Sequence, residues 1–581
     1  MKRLLLPVLL LTTLTACTAA PAGPLPAAAP TPTPASTPAP TAAPAPADAL
    51  TPEEKIGQLF IIRPDALDLT LPQETINDAK ADGVTMLTDA MRETLQAYPV
   101  GGICQFGKNI TDPEQLAQFN ADLQAASRTP LFIAVDEEGG AVARLANKDT
   151  FDLPRYESAA AVGAEGADAA CAMGQTIGAY LKEYGFNMDF APDADVNTNP
   201  DNPIIGTRAF SSDAAEAANC AAAMARGLAG EGILPTFKHF PGHGDTAVDS
   251  HLGLPRVDKT LQQLEACELI PFRAAIRSGV DAIMTTHILF PRLEPGGVPA
   301  TMSRRILTGM LREQLGFRGL IVSDCMMMGA IQDYYGTVPG CLAAAKAGVD
   351  LLFVSHSMEL AAQVARALAE EAAAGRLDAG ELAASVARMV RLREHLPPAE
   401  GFEAVGSPAH RDAFRAMRRA GLTRVGTAPR PELGENPLFL GCHPFRTTQA
   451  SSPVDTKVAF GPWMAQRLGG EALVTPTDPE EGDIARAVDA ARGHSALVLG
   501  TYNAHVKRGQ LRLLAALAGL GLPMACVALR DPYDLAGLPE NVYGLAAYEY
   551  NIESLDTVAQ ALTGAFTPVG RLPVPLEGGQ P

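Results

Sequence analysis

A chain of 581 residues is too long for one ordinary domain, and its 47% apolar composition supplies material for more than one sizeable core. The formal net charge of −19, with no Lys/Arg-rich run, argues against nucleic-acid binding. That charge says nothing against a neutral sugar substrate, because net charge bears on solubility rather than on fold.

In chain order, Lys2 and Arg3 form a short basic segment and Leu4–Leu11 an apolar one too short to span a membrane. Leu14-Thr15-Ala16-Cys17 then resembles the bacterial lipobox, in which small residues precede a cysteine that is lipidated and becomes the new N-terminus. A plain signal peptide with an incidental cysteine is the alternative. From 18 to 50 the chain is almost wholly Ala, Pro and Thr, a composition that forms a semi-rigid spacer and no packed core. Residues 1–17 are thus expected to be a lipoprotein signal with lipidation at Cys17, and 18–50 a linker. The expected location is the bacterial cell membrane, held by a lipid anchor and facing outside the cytoplasm. The eight later cysteines contain no CxxC pair and no zinc-like Cys/His spacing. Export permits disulfides, but buried thiols acting as small apolar residues are the default reading.

From 51 to 396 helical and strand-like patterns alternate. Asp112 followed by Pro113 reads as a helix start, with Leu116, Phe119 and Leu123 at helical spacing. Leu131–Val135 is a continuous apolar run of the kind buried parallel strands have. A second helix places Met173, Ile177 and Leu181 on one face and stops near Gly185, before a strand over Phe186–Phe190. Further strand-like runs cover Gly232–Lys238, Asp281–Thr285, Leu320–Ser323 and Asp350–Val354. The runs end in polar residues: Asp136, Asp189, Lys238–His239, His287, Asp324 and Ser355–His356. Repeated strand–helix units imply parallel strands. Polar residues at successive strand ends are how a (β/α)8 TIM-type barrel builds its active site. An open doubly wound sheet competes, without the phosphate-cradling glycine motifs that would favour a nucleotide-binding version.

A break rich in Pro, Glu and Gly at 397–410 reads as a linker. Beyond it, Pro437–Leu440, Ala496–Leu499 and Met524–Leu529 are strand-like, with helical stretches at Ile484–Ala491 and Leu511–Leu517. Residues 411–581 are therefore expected to form a smaller α/β three-layer sandwich domain that ends in an extended segment, Gly570–Pro575.

The densest chemistry lies in Lys238–His251, K-H-F-P-G-H-G-D-T-A-V-D-S-H, which holds three of the chain's ten histidines. Its Gly and Pro content indicates a loop. A metal site is a rival reading, since His and Asp are metal ligands, although no HExxH-type spacing is present. This segment resembles the signature of glycoside hydrolase family 3, in its bacterial β-N-acetylglucosaminidase branch. Asp136-Glu137-Glu138-Gly139-Gly140 with Arg144, Asn202–Arg208 and Ile321–Asp324 agree with that family, in its order. The resemblance covers most of 51–396 and, more weakly, the region from about 405 onward.

The resemblance implies that Asp324 is the catalytic nucleophile and His251 the general acid/base, oriented by Asp249. It also implies that Asp136, Arg144, Arg208, Lys238 and His239 surround the sugar ring. The Arg and Lys residues have a structural alternative, as ion-pair partners of buried acids. Asp324 has one as a helix-capping strand-end residue. A His–Asp dyad in place of a second carboxylate departs from the usual two-carboxylate scheme. A histidine titrates near neutrality and can give and then take a proton. His243 and Asp245 are expected to shape the loop, and Met326–Met328 to pack or to form a soft wall against an acetamido group. Glu137 stands where the family usually has Gln, which leaves that position without an assigned role.

The implied activity is that of a retaining exo-β-N-acetylglucosaminidase acting on carbohydrate, namely GlcNAc-containing wall fragments, with no metal or organic cofactor. A phosphorylase using inorganic phosphate is the alternative within enzymes. A non-catalytic sugar-binding lipoprotein is the alternative outside them.

Overall fold

The computed structural model describes residues 50–78, 80–156, 158–247, 253–394, 415–416, 418–446, 451–452 and 458–576. Cys17, Asp249, His251 and the expected linker 397–410 lie outside the described residues.

The first sheet has eight parallel strands. In chain order they are β1 (Phe60–Ile62), β2 (Gly102–Cys104), β3 (Phe132–Val135), β6 (Met188–Asp189), β7 (Leu234–Phe240), β8 (Ala282–Thr285), β9 (Leu320–Ser323) and β10 (Leu352–Phe353). A small antiparallel hairpin, β4 (Glu137–Gly139) and β5 (Val142–Ala143), stands apart from it. The spatial order β10-β1-β2-β3-β6-β7-β8-β9 leaves only β9 and β10 to be joined. A parallel bridge between Val322 and Leu351 joins them, with Ser323 N donating to Leu351 O at 2.9 Å. That closure makes a barrel and removes the open-sheet alternative. The strand residues are buried throughout, as expected of strands covered on both faces.

The helix expected after Asp112 spans Pro113–Ala126, and Gln115 N donates to the Asp112 side chain at 3.0 Å. Leu116, Phe119 and Leu123 are its buried face. The helix Ala167–Glu183 buries Met173, Ile177 and Leu181, and Gly185 follows with φ +79. In the barrel, three strands differ from the sequence reading by two residues or more. The strand expected over Phe186–Phe190 is reduced to Met188–Asp189. The run beginning at Gly232 pairs later, from Leu234 to Phe240. At Asp350 the strand reading gives way to an ion cluster. Asp350 Oδ2 accepts from Ile321 N at 2.8 Å and from Arg312, while Oδ1 accepts from Arg388 Nη2 at 2.6 Å and Ser385 Oγ at 2.5 Å.

The second sheet has six strands in the order β11-β16-β15-β14-β12-β13. These are β11 (Thr423–Val425), β12 (Leu438–Gly441), β13 (Glu471–Val474), β14 (Leu497–Thr501), β15 (Met524–Ala528) and β16 (Val542–Ala546). All pairings are parallel except β11 with β16. Separate apolar clusters form on its two faces, one holding Leu513 and Leu517 of the helix Gly509–Ala518, the other Phe460 and Met464 of the helix Phe460–Leu468. This is the expected three-layer domain. Its core reaches into the barrel, because Ala160 and Ala161 of the helix Ala159–Glu165 pack with Tyr533, Leu535 and Tyr548. The terminal segment adds a strap: Pro573 O accepts from Ser212 N at 3.1 Å and from Ser211 Oγ at 3.0 Å.

Asp350 is fully buried and binds two arginines at the seam that closes the barrel. Asp350→Ala leaves both guanidiniums without their carboxylate and is expected to lower unfolding stability by about 3 kcal/mol. Urea unfolding checks this through a lower midpoint at unchanged slope.

Candidate active site

Past Val135 the chain stays extended into β4, so neighbouring side chains alternate in direction. Asp136 and Glu138 share one side and meet a common cation. Lys238 Nζ lies 2.9 Å from Asp136 Oδ1 and 2.5 Å from Glu138 Oε1. Arg144 adds Nη2 at 3.4 Å from Asp136 Oδ2. Burial opposes the charge on Asp136, but Lys238 and Arg144 outweigh it and hold the carboxyl below its ordinary range. Its side chain is still 20% exposed, so the pocket can reach it. Glu138 is buried and receives a two-point grip from Arg208, Nε to Oε2 at 2.8 Å and Nη2 to Oε1 at 2.8 Å. Arg208 also stands 3.4 Å from Asp193. Its own position comes from a turn that Asn202 builds, with Oδ1 accepting from Ile204 N at 2.9 Å and Ile205 N at 3.0 Å.

Glu137 turns the other way. Its oxygens accept from Arg144 N at 2.5 Å, Leu145 N at 3.0 Å, Ala146 N at 2.9 Å and Tyr180 OH at 2.9 Å. Both oxygens thus receive donors, which suits a carboxylate better than an amide with one oxygen. The residue that the sequence left without a role is the anchor of the loop carrying Arg144. Asp189 backs it, since Oδ1 accepts from Glu137 N at 3.0 Å.

On β7, Lys238 is followed by His239, whose Nδ1 lies 2.7 Å from Asp195 Oδ2. The carboxylate can only accept, so Nδ1 carries the proton and Nε2 keeps its lone pair. Burial, helped by the Arg208 and Lys238 cations, brings this ring to about 4, so it is neutral at pH 7. Asp195 also takes His243 N at 2.6 Å, and His243 Nδ1 pairs with Thr246 Oγ1 at 2.8 Å. Between them, a side chain on Gly244 would stand 1.7 Å from Val196 O, so only glycine fits there. Asp245 meets Lys259 at 3.1 Å.

Asp324 follows β9 directly. Its N donates to Thr285 O at 3.2 Å, its Oδ1 accepts from Cys325 N at 2.6 Å, and its charge acts on the His239 ring. The turn beyond is clamped by buried His287, with Nε2 3.0 Å from Cys325 O and Nδ1 2.9 Å from Thr301 Oγ1. Met326 and Met328 are buried in the core, whereas Met327 is half-buried and its sulfur accepts from His356 N at 3.3 Å.

Six residues singled out in the sequence, Asp136, Arg144, Arg208, Lys238, His239 and Asp324, therefore gather at one end of the barrel. Arg208 meets acidic partners there, the structural role left open for it. Sequence reasoning missed Glu138, Asp193, Asp195 and Ser452, which touches Arg144 from the second domain. Asp189 ends β6, as expected, but it turns to Glu137 N, while Asp193 and Asp195, a few residues on, are the acids that meet Arg208 and His239. Asp193, Asp195 and His239 place one atom each within 4.8 Å of one another, a spread that suits a metal ion. Arg208 beside Asp193 and the neutral His239 N–H toward Asp195 already give both acids a partner. All eight described cysteines are free thiols, six of them buried.

Residues 51–392 match the glycosyl hydrolase family 3 N-terminal domain. Beta-hexosaminidase A of Pseudoalteromonas piscicida is 34% identical over 370 residues, 59% of this chain and 62% of that protein, so the chain spans under two thirds of that relative's length. A beta-hexosaminidase of Thiobacillus denitrificans is 33% identical over 58% of this chain and 88% of its own length. The structure of a glycoside hydrolase family 3 beta-N-acetylglucosaminidase from Paenibacillus sp. superposes with a TM-score of 0.80 at 32% identity, covering 91% of this chain and 99% of that one. With its matching barrel and the motifs at the barrel's strand ends, the chain belongs to glycosyl hydrolase family 3.

Proposed function

We propose that the chain is a retaining exo-β-N-acetylglucosaminidase that releases terminal β-linked N-acetylglucosamine from peptidoglycan fragments. One observation carries the reading: an ionised, partly open carboxylate, Asp136, and a second carboxylate, Asp324, converge with neutral His239 at the same barrel end. The likeness to beta-hexosaminidases and to a beta-N-acetylglucosaminidase over nearly its whole length supports the choice of sugar.

In this reading Asp136 accepts hydrogen bonds from sugar hydroxyls, stronger for its charge. Arg144, Lys238 and His239 line the ring, and Arg208 fixes Glu138 beneath them. Asp324 attacks the anomeric carbon as the bond to the leaving oxygen breaks, and His251, oriented by Asp249, gives that oxygen its proton. Water then attacks the glycosyl–Asp324 ester, His251 takes the proton from water, and the carboxylate leaves. Two displacements retain the anomeric configuration. Residues 1–17 direct export, Cys17 takes the lipid, and the 18–50 spacer holds the enzyme off the membrane.

Four outcomes test this reading. Asp324→Asn is expected to cut kcat on a chromogenic β-N-acetylglucosaminide by at least about a thousandfold, with the thermal midpoint unchanged. Wild type should leave the matching β-glucoside nearly untouched and ignore added phosphate. A sugar phosphate product would overturn hydrolysis. The pH dependence of KM follows Asp136. Its carboxyl is held low, so its contribution is complete above the ordinary carboxylate range and is lost only as pH falls through the lowered value. KM measured from pH 8 downward should therefore stay flat to about pH 4, the usual aspartate range. Cys17→Ala should move the protein from the membrane to the soluble fraction of its bacterial host. Membrane retention of that variant would refute the anchor.

A further inference from the structure

Ser452 lies 308 residues from Arg144, in the second domain between β12 and the helix Phe460–Leu468. A serine hydroxyl has one proton to donate and two lone pairs to offer. Here all three go to Ala143 and Arg144. Oγ donates to Ala143 O at 2.7 Å, accepts from Ala143 N at 3.3 Å, and accepts from Arg144 Nη1 at 3.3 Å. The main chain adds Ser452 N to Ala141 O at 2.7 Å. Ser452 is 5% exposed, so water is a poor substitute for any of these contacts. Within its own domain the stretch is steadied by Arg446, whose Nε donates to Ser451 O at 3.0 Å.

Glu137 holds the Arg144 backbone N–H at 2.5 Å, and the long side chain above it is aimed by the groups its guanidinium meets. Its Nη2 reaches Asp136 at 3.4 Å, near the limit of a hydrogen bond, so a small swing loses the contact. We infer that Ser452 is a positioning residue for the sugar subsite: through this hydroxyl the second domain aims the Arg144 guanidinium at Asp136. The inference rests on the proposed reading of Asp136 and Arg144 as sugar-binding residues.

The test uses the full chain with Ser452→Ala, Ser452→Thr, Arg144→Ala and the Ser452→Ala/Arg144→Ala double variant. Hydrolysis of the chromogenic β-N-acetylglucosaminide gives KM and kcat, and calorimetry gives the Kd of free N-acetylglucosamine without turnover. Ser452→Ala is expected to raise KM and Kd about tenfold, the loss of one hydrogen bond to a charged group, with kcat changed less than about threefold. Ser452→Thr keeps the hydroxyl and should recover most of the affinity. In the Arg144→Ala background Ser452→Ala should add nothing, because the group it positions is gone. An equal loss of affinity with and without Arg144 overturns the inference, as does a Ser452→Ala variant that only lowers the thermal midpoint. A wild type that binds N-acetylglucosamine and shows this coupling without hydrolysing the glycoside would sink the proposed activity and leave the positioning role standing.

Discussion

A lysine ammonium that is 3% exposed cannot keep its charge inside a protein unless carboxylates meet it. Lys238 has two, Asp136 and Glu138, and the rest of the site follows from how those two are shared. Glu138 is drawn inward by Arg208 and gives both oxygens to cations. Asp136 holds Lys238 by one oxygen, while among the described residues its second meets the longer contact with Arg144. A charged acceptor with spare capacity, rigidly backed and partly exposed, is what recognition of hydroxyl groups requires. The desolvation of these groups is offset within the cluster, so the acceptor is set before any substrate arrives.

The same cluster accounts for the neutral histidine. Arg208 and Lys238 stand close to His239, and burial disfavours a further positive charge, so the ring stays unprotonated at neutral pH. Asp195 then fixes its tautomer from below. His239 Nε2 thus keeps an acceptor lone pair, whereas in solution a histidine would titrate near neutrality. On this arrangement His239 has no proton to give the leaving oxygen at neutral pH, and the proposed mechanism takes that proton from His251.

Much of this was legible where the signal was local. Polar residues directly after apolar runs gave Asp136 and Asp324, because a parallel strand must stop where backbone pairing ends and its next side chain meets the pocket, whereas Lys238 lies within β7. The pleat would also have separated Glu137 from Asp136 and Glu138, since alternate residues of an extended chain face opposite ways. Other features had no such signal. β1 and β2 are three residues each, too short for a periodic pattern, and were not recognised individually. Asp350 looked like the start of a strand because nothing nearby announces Arg312 and Arg388, which arrive from separate helices. Asp195 was passed over because Asp189, closer to the apolar run, fitted the strand-end rule first.

The contact of Ser452 with Arg144 is the extreme case of non-local information, and it bears on why a barrel with its own complete ring of strands carries a second sheet at all. An arginine side chain has about 2 kcal/mol of rotamer entropy to lose when it is fixed. If the loss falls at substrate binding, it weakens affinity; if folding has already fixed the group, binding keeps the full interaction. The barrel restrains the Arg144 backbone through Glu137, whose carboxylate is buried with Tyr180 and three amides. Among the described residues the guanidinium meets Asp136 from the barrel and Ser452 from the second domain. A docked domain can help to aim it, provided its own position is fixed. The apolar cluster that Ala160 and Ala161 share with the second domain and the Pro573 strap supply that fixity, so the apolar interface and the polar contact are two halves of one device.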